Sequence, residues 1–224
     1  MIKLCVFDMD GLLLDTERQM YAKFGEEASA EMGRPMSLDF LTTVMGGSKE
    51  LYRNRVLSVY GEDYPYEEYQ RRRWEKINRF IDRGDIPLRP GVPEFLEFCS
   101  RQGILKAIAT STRGEVAQKC LKASGIAAYF DYMISGDMVE KTKPDPEIFL
   151  NPVKHFNVPL NEVLVFEDSH NGAQAAINGK LRYILVKDLA FLTEEDMENA
   201  EMVTDVISKA IPLIKKENER TAGI

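Results

Sequence analysis

With 224 residues, 44% of them apolar, the chain can bury a substantial core, as one large domain or as a domain carrying an insertion. Its 36 acidic and 29 basic residues leave a net charge of −7 with no dominant basic face, which argues against general nucleic-acid binding. No apolar run approaches the ~18 residues of a membrane span. Cys5, Cys99 and Cys120 form no CxxC pair and suit buried thiols in a reducing compartment, and the N-terminal residues resemble neither a signal nor a transit peptide, so a soluble cytoplasmic protein is expected.

The first element is an apolar run, Ile2 to Phe7, of strand length and rich in β-branched and aromatic residues. It stops at Asp8, which is followed by Met9, Asp10 and Gly11. A strand apolar on both faces belongs in the middle of a parallel sheet covered by helices. Carboxylates at its carboxyl end stand where open α/β sheets bind ligands, and strand alternation lets Asp8 and Asp10 face the same way. Two close carboxylates repel unless a cation lies between them or a proton is shared, which suggests a metal. The Asp-x-Asp-Gly run is also a turn signal and resembles the opening of a calcium loop. A strand precedes it rather than a helix, however, and the twelfth position of such a loop is Gln19 rather than Glu.

From Glu17 the pattern turns helical. Glu17 to Met32 reads as a helix closed near Gly33, and Ser37 to Val44 as a short helix with a Ser N-cap, followed by Gly46 and Gly47. Ser48 to about Tyr60 and Tyr66 to Ile81 read as two more, the last carrying Arg71, Arg72, Arg73 and Trp74. No strand pattern interrupts residues 17–88. Alternation then resumes, with a helix from Pro93 to about Gln102, a strand from Ile104 to Thr110 and a helix from Glu115 to Ala123. A strand from Asp131 to Ser135, a polar loop from Glu140 to Pro146 and a helix from Pro146 to Asn157 come next. Glu162 to Phe166 is a strand, Gly172 to Asn178 a helix and Tyr183 to Val186 a strand, and the charged tail after Lys215 reads as a frayed helix end. This predicts an α/β fold, a Rossmann-like parallel sheet with right-handed crossovers built from 1–15 and 89–224, with a helical insertion at 16–88. Asp8 and Asp10, Thr110 and Ser111, and Glu167 and Asp168 then meet at the sheet's carboxyl edge, within reach of Lys143.

The segments DMDGLLLDT, AIATST, KPDPEIF and VFEDSHNGAQAA, in this order and spacing, resemble the four motifs of the haloacid dehalogenase-like hydrolase superfamily. The insertion is similar to that family's mobile α-helical cap. The resemblance implies a Mg²⁺-dependent phosphatase for a small phosphomonoester. Asp8 would be the nucleophile, forming an aspartyl-phosphate, and Asp10 the acid that protonates the leaving alkoxide and then the base that activates water. Thr110, Ser111 and Lys143 would hold the phosphoryl oxygens, while Asp8, the Asp10 carbonyl, Glu167 and Asp168 would hold Mg²⁺. Dehalogenases and phosphonatases of this fold lack the second acid, so Asp10 sets them aside.

Within the superfamily the chain is similar to the β-phosphoglucomutase-like branch, which includes hexose-phosphate phosphatases and pseudouridine 5′-phosphatase. The mutase has a His in its first cap helix, where Arg18-Gln19-Met20 stand here, and grips a second phosphate from the position of Lys49. A sugar or nucleoside phosphate phosphatase is therefore expected, with a phosphosugar mutase as the alternative. Gly46, Gly47 and Lys49 are the expected substrate contacts in the cap. Arg71 to Arg73 read equally as substrate contacts or a solvated face, and Tyr69 and Trp74 as cap core. His155 and His170 receive no role. A monomer acting on a small phosphorylated metabolite is expected. A non-catalytic binding protein on this fold would predict loss of Asp8 or Asp168, and both are present.

Overall fold

In the computed structural model, which describes residues 1–44 and 49–222, β1 (Leu4–Phe7) is buried on both faces, as its uninterrupted apolar run requires. Around it lie β2 (Leu105–Thr110), β3 (Tyr132–Ser135), β4 (Val163–Glu167), β5 (Arg182–Val186) and β6 (Met202–Thr204). The order is β3-β2-β1-β4-β5-β6, all parallel. The chain leaves β1 between β2 and β4, so the strand order reverses at the end of β1, and a crevice opens where the two directions part. Five strands agree with the sequence reading. The sixth, Met202–Thr204, is only three residues long at the sheet edge, too short to show a period.

Alternation along β1 divides the core. Cys5 and Phe7 face a cluster with Phe95, Ile108 and Phe166, while Leu4 and Val6 face one with Ala109, Phe149 and Val165. Phe7 stacks on Phe166 with ring centroids 5.1 Å apart and meets Phe95 edge-on at 6.0 Å, which locks β1 to β4 and to the helix Val92–Arg101. The three cysteines are buried and form no disulfide. Among the described residues no helix is long and apolar enough to cross a membrane.

Residues 17–83 form a π-helical turn (Glu17–Ala22) and α1 (Lys23–Glu31), α2 (Leu38–Thr43), α3 (Lys49–Tyr60) and α4 (Tyr66–Arg83). They bury a cluster of their own that includes Ala28, Met36, Leu41, Val56 and Tyr69. Ile77 and Ile81 of α4 join Met20 in the main core instead. The arginine run divides by helical phase. Arg71 and Arg72 lie on the outer face paired with Glu68, and Arg71 also with Glu75, which stabilises the helix only slightly. Arg73 turns inward between the rings of Tyr21 and Tyr52, 5.4 and 5.1 Å from their centroids, and donates to the Tyr21 carbonyl at 3.2 Å. Tyr69 is core, its hydroxyl 2.7 Å from that of Tyr52, and Trp74 packs edge-on against Tyr21.

The remaining helices are α5 (Val92–Arg101), α6 (Gly114–Ala123), α7 (Glu147–Phe156), α8 (His170–Asn178), α9 (Glu194–Glu198) and α10 (Ile211–Ala222). The frayed tail expected after Lys215 is instead helical to Ala222, because Arg182 at the start of β5 pairs with Glu217 at 2.6 Å. The chain crosses between sheet and helical segment twice, at residues 13–16 and 86–89. The crossings are tied together by Asp15 N–H to the Pro87 carbonyl and Arg89 N–H to the Leu13 carbonyl, both 2.9 Å.

Candidate active site

β1 delivers Asp8 to the crevice with its backbone N–H still donating to the Phe166 carbonyl at 3.0 Å, so the first carboxylate is positioned by the sheet itself. Lys143, in the loop before α7, reaches across and donates to both Asp8 Oδ1 and Glu167 Oε1, the latter at 2.5 Å. Burial alone would discharge this lysine, but the two carboxylates push its pKa above the usual lysine value, so it stays charged. The opposite balance holds at Asp8. Burial, then the charges of Glu167 and Asp10, outweigh Lys143 and push its carboxyl up to about 7.

Glu167 is saturated. Its Oε1 takes Lys143, and its Oε2 accepts from Asp168 N–H at 2.8 Å, Ser169 N–H at 2.9 Å and the Ser169 hydroxyl at 3.0 Å. A Cβ at Gly172 would overlap this carboxylate, so the glycine opening α8 makes room for it. Glu167 thus also holds Lys143 against Asp8.

Asp10 is held from two sides, by the hydroxyls of Thr16 on Oδ1 and Thr112 on Oδ2, each at 2.6 Å. Thr110, buried, accepts from Thr112 N–H at 3.1 Å and turns its own hydroxyl to Asp10. Burial raises the Asp10 pKa against these hydrogen bonds, so this carboxyl holds a proton more readily than a free aspartate. Ser111, expected beside Thr110, is exposed at the rim.

Asp168 completes the acid group. Its Oδ2 is buried with no hydrogen-bond partner, and burial, then Glu167, Glu17 and Asp8, raise its pKa well above the carboxylate range. The close approach of Gly11 (φ +80°) leaves no room for a Cβ beside that oxygen. The structure thus brings together Asp8, Asp10, Thr110, Lys143, Glu167 and Asp168. Gly46 and Gly47 lie outside the described residues, and Lys49 is described only as the first residue of α3. His155 is exposed and stacked on Tyr132, while His170 Nδ1 lies 2.7 Å from Asp196 Oδ2.

The sequence reading missed Thr16, Thr112 and Glu17. Glu17 is 6% exposed, its Oε2 has no partner, and burial followed by Asp10, Asp8, Asp188 and Glu167 pushes it up to about 8. An acid in the first turn of a helix reads in sequence as a partner for the helix dipole, so nothing marked it. Its raised pKa has a consequence for stability. The fold favours the protonated carboxyl, so this contribution is fully present below the unfolded value of 4.5 and is lost as pH rises through about 8. Glu17→Gln is therefore expected to raise the Tm of the metal-free protein at pH 9 by several degrees and to leave it little changed at pH 5. Thermal denaturation at the two pH values checks this.

The donors suit a hard divalent cation. Among the described residues no three of His, Cys, Asp and Glu converge as ready ligands. Asp8 and the unpartnered oxygen of Asp168 offer two carboxylates, and backbone oxygen and water would complete the shell. That partial protein set fits Mg²⁺, which keeps several waters, better than a cation needing an all-protein cage.

A parallel α/β sheet with acids, a hydroxyl and a buried lysine at its switch point defines a polar ligand site at the carboxyl edge of the strands. Residues 2–180 match the sequence model of the haloacid dehalogenase-like hydrolases, and the chain belongs to that family of enzymes. It is 34% identical over 171 residues to a phosphorylated carbohydrates phosphatase of Thermotoga maritima, covering 76% of this chain and 78% of that one. Over 205 residues it is 31% identical to a candidate pseudouridine-5′-phosphatase of Drosophila melanogaster, covering 89% and 87%. A crystal structure from Thermotoga maritima, described as a candidate β-phosphoglucomutase, superposes with a TM-score of 0.78 at 29% identity over 96% of this chain and 99% of that one.

Proposed function

We propose that the protein is a phosphatase of small phosphomonoesters, of sugar or nucleoside type. In this reading residues 1–15 and 89–224 form the catalytic core and 16–88 a cap that closes over the substrate. The observation that carries it is Lys143 held between Asp8 and Glu167 beside an Asp10 fixed by two threonines: a nucleophile with a charged neighbour, next to an acid with a raised pKa.

The chemistry follows from these positions. A carboxylate oxygen of Asp8 attacks phosphorus, the ester P–O bond breaks, and Asp10 gives its proton to the departing alkoxide. Asp10, now ionised, takes a proton from water, whose oxygen attacks the aspartyl-phosphate and releases phosphate with Asp8 restored. Lys143 and the Thr110 hydroxyl hold the phosphoryl oxygens as charge develops. Asp8, Asp168 and the Asp10 carbonyl, with Glu167 beside them, would hold Mg²⁺, and its charge would offset the repulsion between carboxylate and phosphate.

Phosphatase is favoured over mutase at the helical hinge. Of the residues where the mutase has its histidine, Met20 is buried in the core, and Arg18 and Gln19 are exposed, so none offers a base. The test is inorganic phosphate release from hexose 6-phosphates, pentose phosphates, pseudouridine 5′-phosphate and β-glucose 1-phosphate, with Mg²⁺ and with chelator. Mg²⁺-dependent release is expected, the best ester giving the substrate class. Conversion of β-glucose 1-phosphate to glucose 6-phosphate without release would establish the mutase instead.

A further inference from the structure

Asp188 lies two residues beyond β5, outside the acid group, yet its side chain is only 2% exposed. Burying a carboxylate is costly unless charged partners compensate it. Its partners here come from the two crossings. Arg89, in the second crossing, sets Nη1 2.8 Å from Asp188 Oδ1 and donates from Nη2 to the Lys187 carbonyl at 3.1 Å. Arg18, just beyond the first crossing, reaches the same oxygen at 3.8 Å, while Oδ2 has no hydrogen-bond partner among the described residues.

These contacts lead to the reacting groups. Arg18 stands two residues after Thr16, whose hydroxyl holds Asp10 at 2.6 Å. Arg89 N–H donates to the Leu13 carbonyl, and the Pro87 carbonyl accepts from Asp15 N–H, so the backbone on both sides of Leu14 is tied to the second crossing, which Asp188 grips through Arg89. These contacts lie where the chain leaves the sheet and returns to it.

We propose that Asp188 is a positioning residue for the reaction: through Arg18 and Arg89 it fixes the two crossings, and with them the Thr16 hydroxyl that orients Asp10. The inference rests on the reading of Asp10 as general acid, and that reading supplies a selective signal. An alkyl phosphate needs its leaving oxygen protonated, whereas p-nitrophenolate departs without help. In kcat/KM, which reports the steps up to formation of the phosphoenzyme, loss of Asp10 orientation therefore penalises the alkyl ester and spares the aryl ester, whereas the later activation of water by Asp10 is common to both and enters kcat. A general loss of folding penalises both.

The test is steady-state kinetics of the Mg²⁺-loaded wild type, Asp188→Asn, Arg18→Gln and Asp10→Asn, on the best alkyl ester of the panel and on p-nitrophenyl phosphate. Arg18 is 54% exposed, so its replacement leaves the fold intact even where Asp188→Asn does not. Asp188→Asn and Arg18→Gln are expected to lower kcat/KM on the alkyl ester by about 10- to 100-fold, with kcat/KM for p-nitrophenyl phosphate changed by less than about threefold. Equal losses on both esters, or none on either, would overturn the inference. Selective loss in Asp10→Asn without it in the other two would overturn the positioning role alone. No selectivity in Asp10→Asn would remove the general-acid reading, and the inference with it.

Discussion

Replacing Asp8 with Asn is expected to abolish phosphate release, by a factor on the order of 10⁵ or more, as loss of a covalent nucleophile does elsewhere. An amide oxygen cannot form the acyl phosphate, and no other carboxylate stands at the end of β1 in the same relation to Lys143. The variant should nevertheless fold. Asp8 sits where burial pushes its carboxyl up to about 7, so its ionised form works against the fold above that pH. A neutral Asn removes that penalty, and metal-free Asp8→Asn should be at least as stable as wild type at pH 8. Activity assays beside thermal denaturation separate the two effects.

Lys143→Met should fail in both respects. The side chain is 5% exposed and is the cation shared by Asp8 and Glu167. Without it two buried carboxylates face each other uncompensated, at a cost of about 3–5 kcal/mol, which lowers the Tm by roughly 10 °C in a chain of this size. Removing the charge that receives the phosphoryl oxygens should lower kcat by a further factor of about 10²–10³. The destabilisation should be larger above about pH 7, where Asp8 is ionised in the folded protein, and smaller at acid pH, where Asp8 takes up a proton. Calorimetry across that range checks the sign.

The sheet was legible in the sequence because its strands are apolar on both faces and each ends abruptly in polar residues. Asp8, Thr110 and Glu167 mark those ends, and parallel topology brings strand ends to one edge. Where the signal was short or ambiguous, legibility failed. Met202–Thr204 has too few residues to show a period. The C-terminal helix is charged on its surface and is held by Arg182, a partner 35 residues away that local composition cannot reveal. The roles of side chains within the site were harder to read than their positions. Glu167 and Asp168 look equivalent in sequence, but Gly172 gives the first of them room to be wrapped by backbone donors, leaving only the second with an unpartnered oxygen. Thr112 and Thr16 were invisible as partners of Asp10, because a hydroxyl after a strand or before a helix reads as a cap. Arg73 was separated from Arg71 and Arg72 only by helical phase, which the run of three arginines conceals.

The most direct test of the account is to trap the covalent intermediate. Protein mixed with its best phosphomonoester and Mg²⁺, quenched in acid within milliseconds and digested, should carry one phosphoryl group on the peptide containing Asp8, and Asp8→Asn should carry none. Steady turnover with no phosphorylated peptide at any quench time, or with the label on another residue, would contradict the assignment of Asp8 as nucleophile.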